Sequence, residues 1–229
     1  MSDDSTQQKY WENNHNHRSY DHPVVQAFAR QRVDEVAARW LDLSNLKRAL
    51  DVGCGDAFST FAMSQHAPDI YAVDRSSRML ARHPLTGKGR CLQSDVRQLP
   101  FKDNQFDLVY GWEILHHVSE PHRVLAEMGR VSRRYILAAE PNRDNPLQLG
   151  FGVIDHEHRW VLRYSLRYLR KLFELAGLKV IRSGSGGWIL PNKTPQWLLP
   201  MLQRLPYWSP FGISNWVLGI NPDGDEGPQ

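Results

Sequence analysis

Apolar positions along this chain follow two periods, one near 3.6 and one compatible with short buried strands. Val25, Phe28, Ala29, Val33, Val36, Ala37 and Trp40 recur at helical spacing and predict a helix over Val24 to Leu41. Leu46 to Val52 reads as a first strand, followed by a turn holding Gly53 and Gly55 and then by a helix over Phe58 to His66. A second strand over Ile70 to Asp74 leads through the capping residue Ser76 to a helix that Pro84 stops after about His83. The third strand lies near Arg90 to Ser94 and the fourth ends before Gly111. An amphipathic helix over Glu120 to Val131 precedes a fifth strand over Tyr135 to Ala139, with Ser132-Arg133-Arg134 as the turn between them. After a long connection at 143–164, Ser165 caps a helix through Ala176 that buries Leu166, Leu169, Leu172, Phe173 and Ala176, and Gly177 stops it. Lys179 to Ile181 starts a sixth strand and Asn215 to Ile220 forms a seventh.

Strands that alternate with helices predict an α/β fold with a mostly parallel sheet covered on both faces. A length of 229 residues suits one such domain, expected over 24–220, with inserts at 143–164 and 184–210. A polar arm over 1–23, partly disordered, and a loose tail over 221–229 flank it. His15, His17 and His22 in that arm sit at irregular spacing and read as part of a solvated segment rather than a metal site. The N-terminal stretch lacks the apolar core of a signal peptide, and no run approaches the roughly 20 apolar residues of a membrane span. A cytoplasmic setting is expected, in keeping with only two cysteines, Cys54 and Cys91, too few for a disulfide framework. Twenty-eight basic and twenty-five acidic residues leave a net charge of +3, which does little to recommend a nucleic-acid partner.

The chemistry concentrates at the strand ends. The segment Ala49 to Ala57, ALDVGCGDA, carries an acid and two glycines between a strand and a helix N-terminus, where backbone can approach a ligand closely. The dinucleotide fingerprint GxGxxG fails here, because Phe58 stands at its third glycine. Asp74 ends the second strand 23 residues after Asp51, near the spacing at which an acid receives a ribose diol. From Asp95 the chain runs through Leu99, Pro100, Phe101, Asp103, Phe106, Asp107 and Val109, and then through Trp112, Glu113, Leu115, His117 and Val118 to Pro121.

In this order, over some seventy residues, these positions resemble class I S-adenosylmethionine (SAM) dependent methyltransferases, most of all the branch acting on small molecules, quinones and lipids. Asp51, Gly53 and Gly55 match the acid-x-Gly-x-Gly motif, and Ala57 stands where its last glycine would be. The resemblance implies a Rossmann-like seven-stranded sheet whose seventh strand is antiparallel and lies beside the sixth. It also implies SAM as cofactor, with the amino-acid end at Asp51, Gly53 and Gly55, the ribose at Asp74, the adenine beside Asp95 and Val96, and Trp112 in the same site. The Ser132-Arg133-Arg134 turn departs from the family's Gly-Gly at that place.

Methyl transfer from a sulfonium is an in-line displacement that needs alignment and no metal, though a hydroxyl or carbon acid acceptor must also lose a proton. The candidate bases are His116 and His117 after the fourth strand and His156 and His158 in the long connection. Asp155 and Glu157, with those last two histidines, could instead hold a metal. Gly111-Trp112-Glu113 does not resemble the motif of enzymes that methylate exocyclic amines, and neither cysteine is placed to attack a pyrimidine. In the 184–210 insert, Leu198, Met201, Leu202 and Leu205 follow helical spacing after Thr194-Pro195, with Trp188, Trp197, Tyr207, Trp208 and Phe211 around them. That segment is either a cap on the core or the wall of a site for an apolar acceptor, with peripheral membrane contact through 188–211 as a further expectation. The reading is therefore a SAM-dependent methyltransferase of a small, mainly apolar acceptor. The alternatives are a SAM-binding module without turnover and an enzyme acting on protein or RNA.

Overall fold

The computed structural model describes residues 18–154 and 156–222. Seven strands form one sheet: β1 (Arg48–Val52), β2 (Asp69–Asp74), β3 (Cys91–Gln93), β4 (Phe106–Trp112), β5 (Ser132–Pro141), β6 (Lys179–Gly186) and β7 (Ser214–Ile220). Their order across the sheet is β3-β2-β1-β4-β5-β7-β6. β7 pairs antiparallel with both β5 and β6, and the other pairings, β1 with β2, β1 with β4, β2 with β3 and β4 with β5, are parallel. The expected antiparallel strand therefore sits beside the sixth, and it also separates the sixth from the fifth.

Helices cover both faces. On one, α1 (Pro23–Arg32) continues through a π-helical turn at Val33–Ala37 into Ala38–Trp40, and the wider turn keeps Arg32, Val33, Val36 and Ala37 all buried. The same face carries α2 (Phe58–Met63), and α3 (Ser77–Ala81), capped by Ser76, lies close to β2 and β3. On the other, α4 (Pro121–Val131) and α6 (Leu166–Leu175) bury Val124, Leu125, Met128, Leu169, Leu172 and Phe173 against Val109, Ile136 and Val217 of the sheet. Both sides of the central strands are thus dry, as a parallel sheet requires.

Three local readings are corrected. No turn separates α4 from β5: the chain passes directly from Val131 into Ser132, and an irregularity in the β4–β5 register between Phe106 and Leu108 absorbs the mismatch. Arg133 is held there by an ion pair with Asp107, a motif residue whose other oxygen accepts the Lys47 and Arg48 amides at 2.9 Å. Asp107 therefore ties the sheet together at its amino-terminal end, opposite the strand ends that follow the glycine turn. The long connection also contains structure, α5 (Pro146–Ile154) and a 3₁₀ turn over His156–Arg163. Asn145 caps α5, its Oδ1 accepting from Leu147 and Gln148 at 2.9 and 3.0 Å. Finally, the insert holds only a 3₁₀ turn at Gln196–Leu198 and the single helical turn α7 (Leu199–Leu202), so its apolar stripe does not form one buried face.

Candidate active site

All parallel strands point their carboxyl ends to one edge, and β1 delivers the glycine turn there. Gly53 and Cys54 donate to the Val73 carbonyl at 2.8 and 3.0 Å, folding the turn over the end of β2. Gly53 has φ +73°, and a Cβ there would lie 2.6 Å from Ile114 Cγ1, so this glycine admits the segment after β4. Gly55, at φ +50°, faces open space, with nothing within 4 Å of where a Cβ would be. Ala57 caps α2 with φ +84°, a left-handed conformation that a glycine would adopt without strain.

Asp51 is wholly buried behind the turn. Its Oδ2 accepts the Ser59 and Thr60 hydroxyls at 2.6 and 2.7 Å, fastening β1 to the first turn of α2. Burial pushes its carboxyl up to about 6 against the opposing pull of these hydroxyls and of His83. Its Oδ1 faces the hydroxyl of Tyr110, its neighbour across the β1–β4 pairing, in a contact too poorly aligned to count as a full hydrogen bond, though it also draws the carboxyl down. Asp74 stands at the edge itself: Oδ2 accepts from Gly55 and Oδ1 from Ser76, both at 2.8 Å, while burial raises its pKa against those bonds. A carboxylate offers about four acceptor directions, so each oxygen keeps capacity for a hydroxyl. Open space at Gly55 beside such an acceptor fits the ribose and amino-acid portion of SAM.

Where the resemblance implies adenine, the acid is not bare. Both oxygens of Asp95 are held by the Arg97 guanidinium, at 3.0 Å from Nε and 2.7 Å from Nη2, and this pair draws its pKa down. Val96 is buried among Val73, Leu99 and Phe106. Trp112 is the residue whose expected place changes. Its ring packs in the core against Phe58, Tyr110 and Trp216, 3% exposed, because β4 extends two residues further than its apolar run suggests.

After β4, Glu113 adopts φ +61° and pairs at 2.6 Å with Arg32, whose guanidinium lies 3.7 Å over the Phe28 ring. The next turn is clamped by Glu140 at the end of β5. Its Oε1 accepts from Ile114 and Leu115 at 3.0 and 2.7 Å, and its Oε2 from the His116 amide at 3.3 Å and ring Nδ1 at 2.6 Å. An acceptor-only carboxylate there assigns the proton to Nδ1 and leaves Nε2 of a neutral imidazole as the basic atom. His116 is 5% exposed, whereas His117 is only half-buried, its ring centroid 3.8 Å away. The side chains of His156, Glu157 and His158 and the whole of Asp155 lie outside the described residues, as do His15 and His17. His22 caps α1, its Nδ1 accepting from Val24 at 3.2 Å. Arg32 and Glu140, the two charged residues that organise this edge, were not singled out from the sequence. The one available signal for Glu140 was an acid closing an apolar strand, as at Asp51 and Asp74.

A family model described as a methyltransferase domain matches residues 50–135, which is the stretch from β1 to the start of β5. A protein of Encephalitozoon cuniculi named as a methyltransferase is 27% identical over 194 residues, covering 79% of this chain and 90% of that one. Demethylmenaquinone methyltransferase of Geobacillus stearothermophilus is 31% identical over 144 residues, and the match spans 58% of its length. The fold is shared with magnesium protoporphyrin IX methyltransferase from Synechocystis with bound SAM, at TM-score 0.61 and 16% identity over 96% of this chain and 97% of that one. Residues 50–135 carry a methyltransferase domain on the class I fold, and the chain is a SAM-dependent methyltransferase. SAM is its cofactor.

Proposed function

We propose that this methyltransferase alkylates a small, mainly apolar acceptor received between α5 and the 187–213 segment. The observation that supports it is an exposed apolar rim. Leu147, Val153 and Ile154 of α5, and Trp197, Met201 and Phe211 of the insert, each expose more than half of their surface. Both segments rise from the carboxyl edge of the sheet, and Asn142 and Asn145 bind them together by donating to the carbonyls of Pro210, Gly212 and Phe211. Solitary exposed apolar residues are ordinary, whereas a group flanking a cofactor edge is what an apolar ligand or a lipid surface uses. Covering a few hundred Å² of acceptor surface at ~25 cal/mol per Å² contributes about 5–8 kcal/mol before ordering costs, near micromolar affinity. The relatives named for demethylmenaquinone and for magnesium protoporphyrin IX are consistent with an acceptor of this class.

SAM, when bound, supplies the electrophilic methyl group on sulfur. In this reading Asp74 receives the ribose hydroxyls and Gly55 leaves room for the amino-acid portion, while Asp51 acts one layer back through Ser59 and Thr60. Asp95 and Val96 flank the adenine. His117, the more accessible of the pair, takes the acceptor proton at a ring nitrogen, and His116, held by Glu140, fixes the turn that carries it. Among the described residues no helix is long and apolar enough to cross a membrane; peripheral contact with a lipid surface would use the same rim.

Incubation with methyl-labelled SAM and a fractionated cell extract tests the proposal. Label should enter the organic-soluble fraction, and Trp197→Ala with Phe211→Ala, both exposed, should lower turnover about tenfold without weakening SAM. Label found only in RNA or protein, or unchanged turnover in the double variant, would rule the proposal out.

A further inference from the structure

Behind the glycine turn, on the side away from the acceptor rim, Cys54, His83 and Cys91 converge so that one ligand atom of each lies within 4.8 Å of the other two. Three separate elements bring them together: the β1–α2 turn, the segment after α3 and the first residue of β3. Ala72 of β2, fully buried with them, is small enough for the two thiols to close over it. Cys54 and His83 are 1% and 3% exposed, and Cys91 reaches partly to solvent. Among the described residues no other group of histidine, cysteine and acidic side chains is so disposed.

We propose that Cys54, His83 and Cys91 form a binding site for a soft divalent cation of the Zn²⁺ class, with a solvent molecule on the Cys91 side as fourth ligand. Tetrahedral zinc at about 2.3 Å from sulfur and 2.0–2.1 Å from nitrogen places its ligand atoms roughly 3.5–3.8 Å apart, so the cluster needs to contract by at most about an ångström. The imidazole is prepared for ligation. The Thr60 hydroxyl spends its proton on Asp51 and so receives the His83 Nε2–H at 3.0 Å, which leaves the ring lone pair on Nδ1. That nitrogen accepts a long bond, 3.2 Å, from the Leu85 amide and lies beside the Cys91 thiol. Histidine ligands are commonly oriented in this way by an outer hydrogen bond. Each thiol proton is released to solvent as its metal–sulfur bond forms. The ion would pin Cys54, one residue from Gly55, and so hold the cofactor turn against β2 and β3.

Reduced, chelator-treated protein titrated with Co²⁺ tests the site. One ion per chain should give a thiolate-to-cobalt charge-transfer band and the visible bands of a tetrahedral centre, and Zn²⁺ should abolish both by displacement. Cys91→Ser, at the exposed margin, should remove the charge-transfer signal attributable to the pair while far-UV circular dichroism and SAM binding report a folded chain. Thr60→Val should weaken Zn²⁺ by about tenfold to a hundredfold, the usual effect of losing an outer partner. The proposal is overturned by absence of the cobalt spectrum at saturation, by an unchanged spectrum in folded Cys91→Ser, or by Zn²⁺ raising the melting temperature of that variant as much as it raises the wild type's.

Discussion

Asp51→Asn isolates one buried charge. The wild-type carboxyl is fully enclosed, and its pKa rises from 3.8 to about 6 on folding, chiefly because burial disfavours the ionised form. Between those values the folded chain binds more protons at this position than the unfolded chain, so stability must fall as pH rises through the window. With 1.36 kcal/mol for each tenfold change in proton affinity, the full loss amounts to about 3 kcal/mol, complete above pH 6 and absent below 3.8. Asparagine keeps an oxygen for Ser59 and Thr60, and its amide takes the place of Oδ1 beside the Tyr110 hydroxyl, to which it can donate. Urea unfolding of both proteins at several pH values from about 4 to 8 measures the difference, in which contributions from Asp56 and Asp74 cancel. The two should match at the acid end, with Asp51→Asn more stable by up to about 3 kcal/mol near neutrality. Parallel curves across the window would show that Asp51 ionises as readily in the fold as outside it, and the argument from burial would fail.

Three other substitutions probe the same edge. Asp74→Ala removes a charge-assisted acceptor and should weaken SAM about tenfold to a hundredfold by calorimetry, about 1.5–3 kcal/mol, with the fold intact by circular dichroism. Ala57→Gly relieves the left-handed φ of +84° at the start of α2 and should raise stability by about 0.5–1 kcal/mol once the extra chain entropy of glycine is subtracted; a loss in urea unfolding would argue against strain there. Glu140→Gln turns one acceptor oxygen into a donor facing the amides of residues 114–116 or His116 Nδ1, and should destabilise by about 2–4 kcal/mol. A change under about 0.5 kcal/mol in the same assay would mean the clamp carries no weight.

Periodicity and motif order determined a great deal by themselves. The period of Val25 to Trp40, the Ser165 and Gly177 helix signals and the acids closing strands 1 and 2 are local features, set by residues within a few positions of one another. They were enough to place most elements and to recognise the methyltransferase pattern from Asp51 to Pro121. Local pattern could not decide what each matched residue touches. Asp107 belongs to the motif yet pairs with Arg133 and the Lys47 and Arg48 amides at the far end of the sheet, because β4 lies between β5 and β1 there. Trp112 is drawn into the core by the length of β4, and Gly53 is required by its positive φ and by the close packing of Ile114. Glu140 meets His116 from 24 residues away, and Arg32 meets Glu113 from 81. Cys54, His83 and Cys91, unremarkable in the linear chain, become neighbours when the turn folds over β2. In each case the partner is supplied by strand order, a property of the sheet as a whole that no sequence window contains.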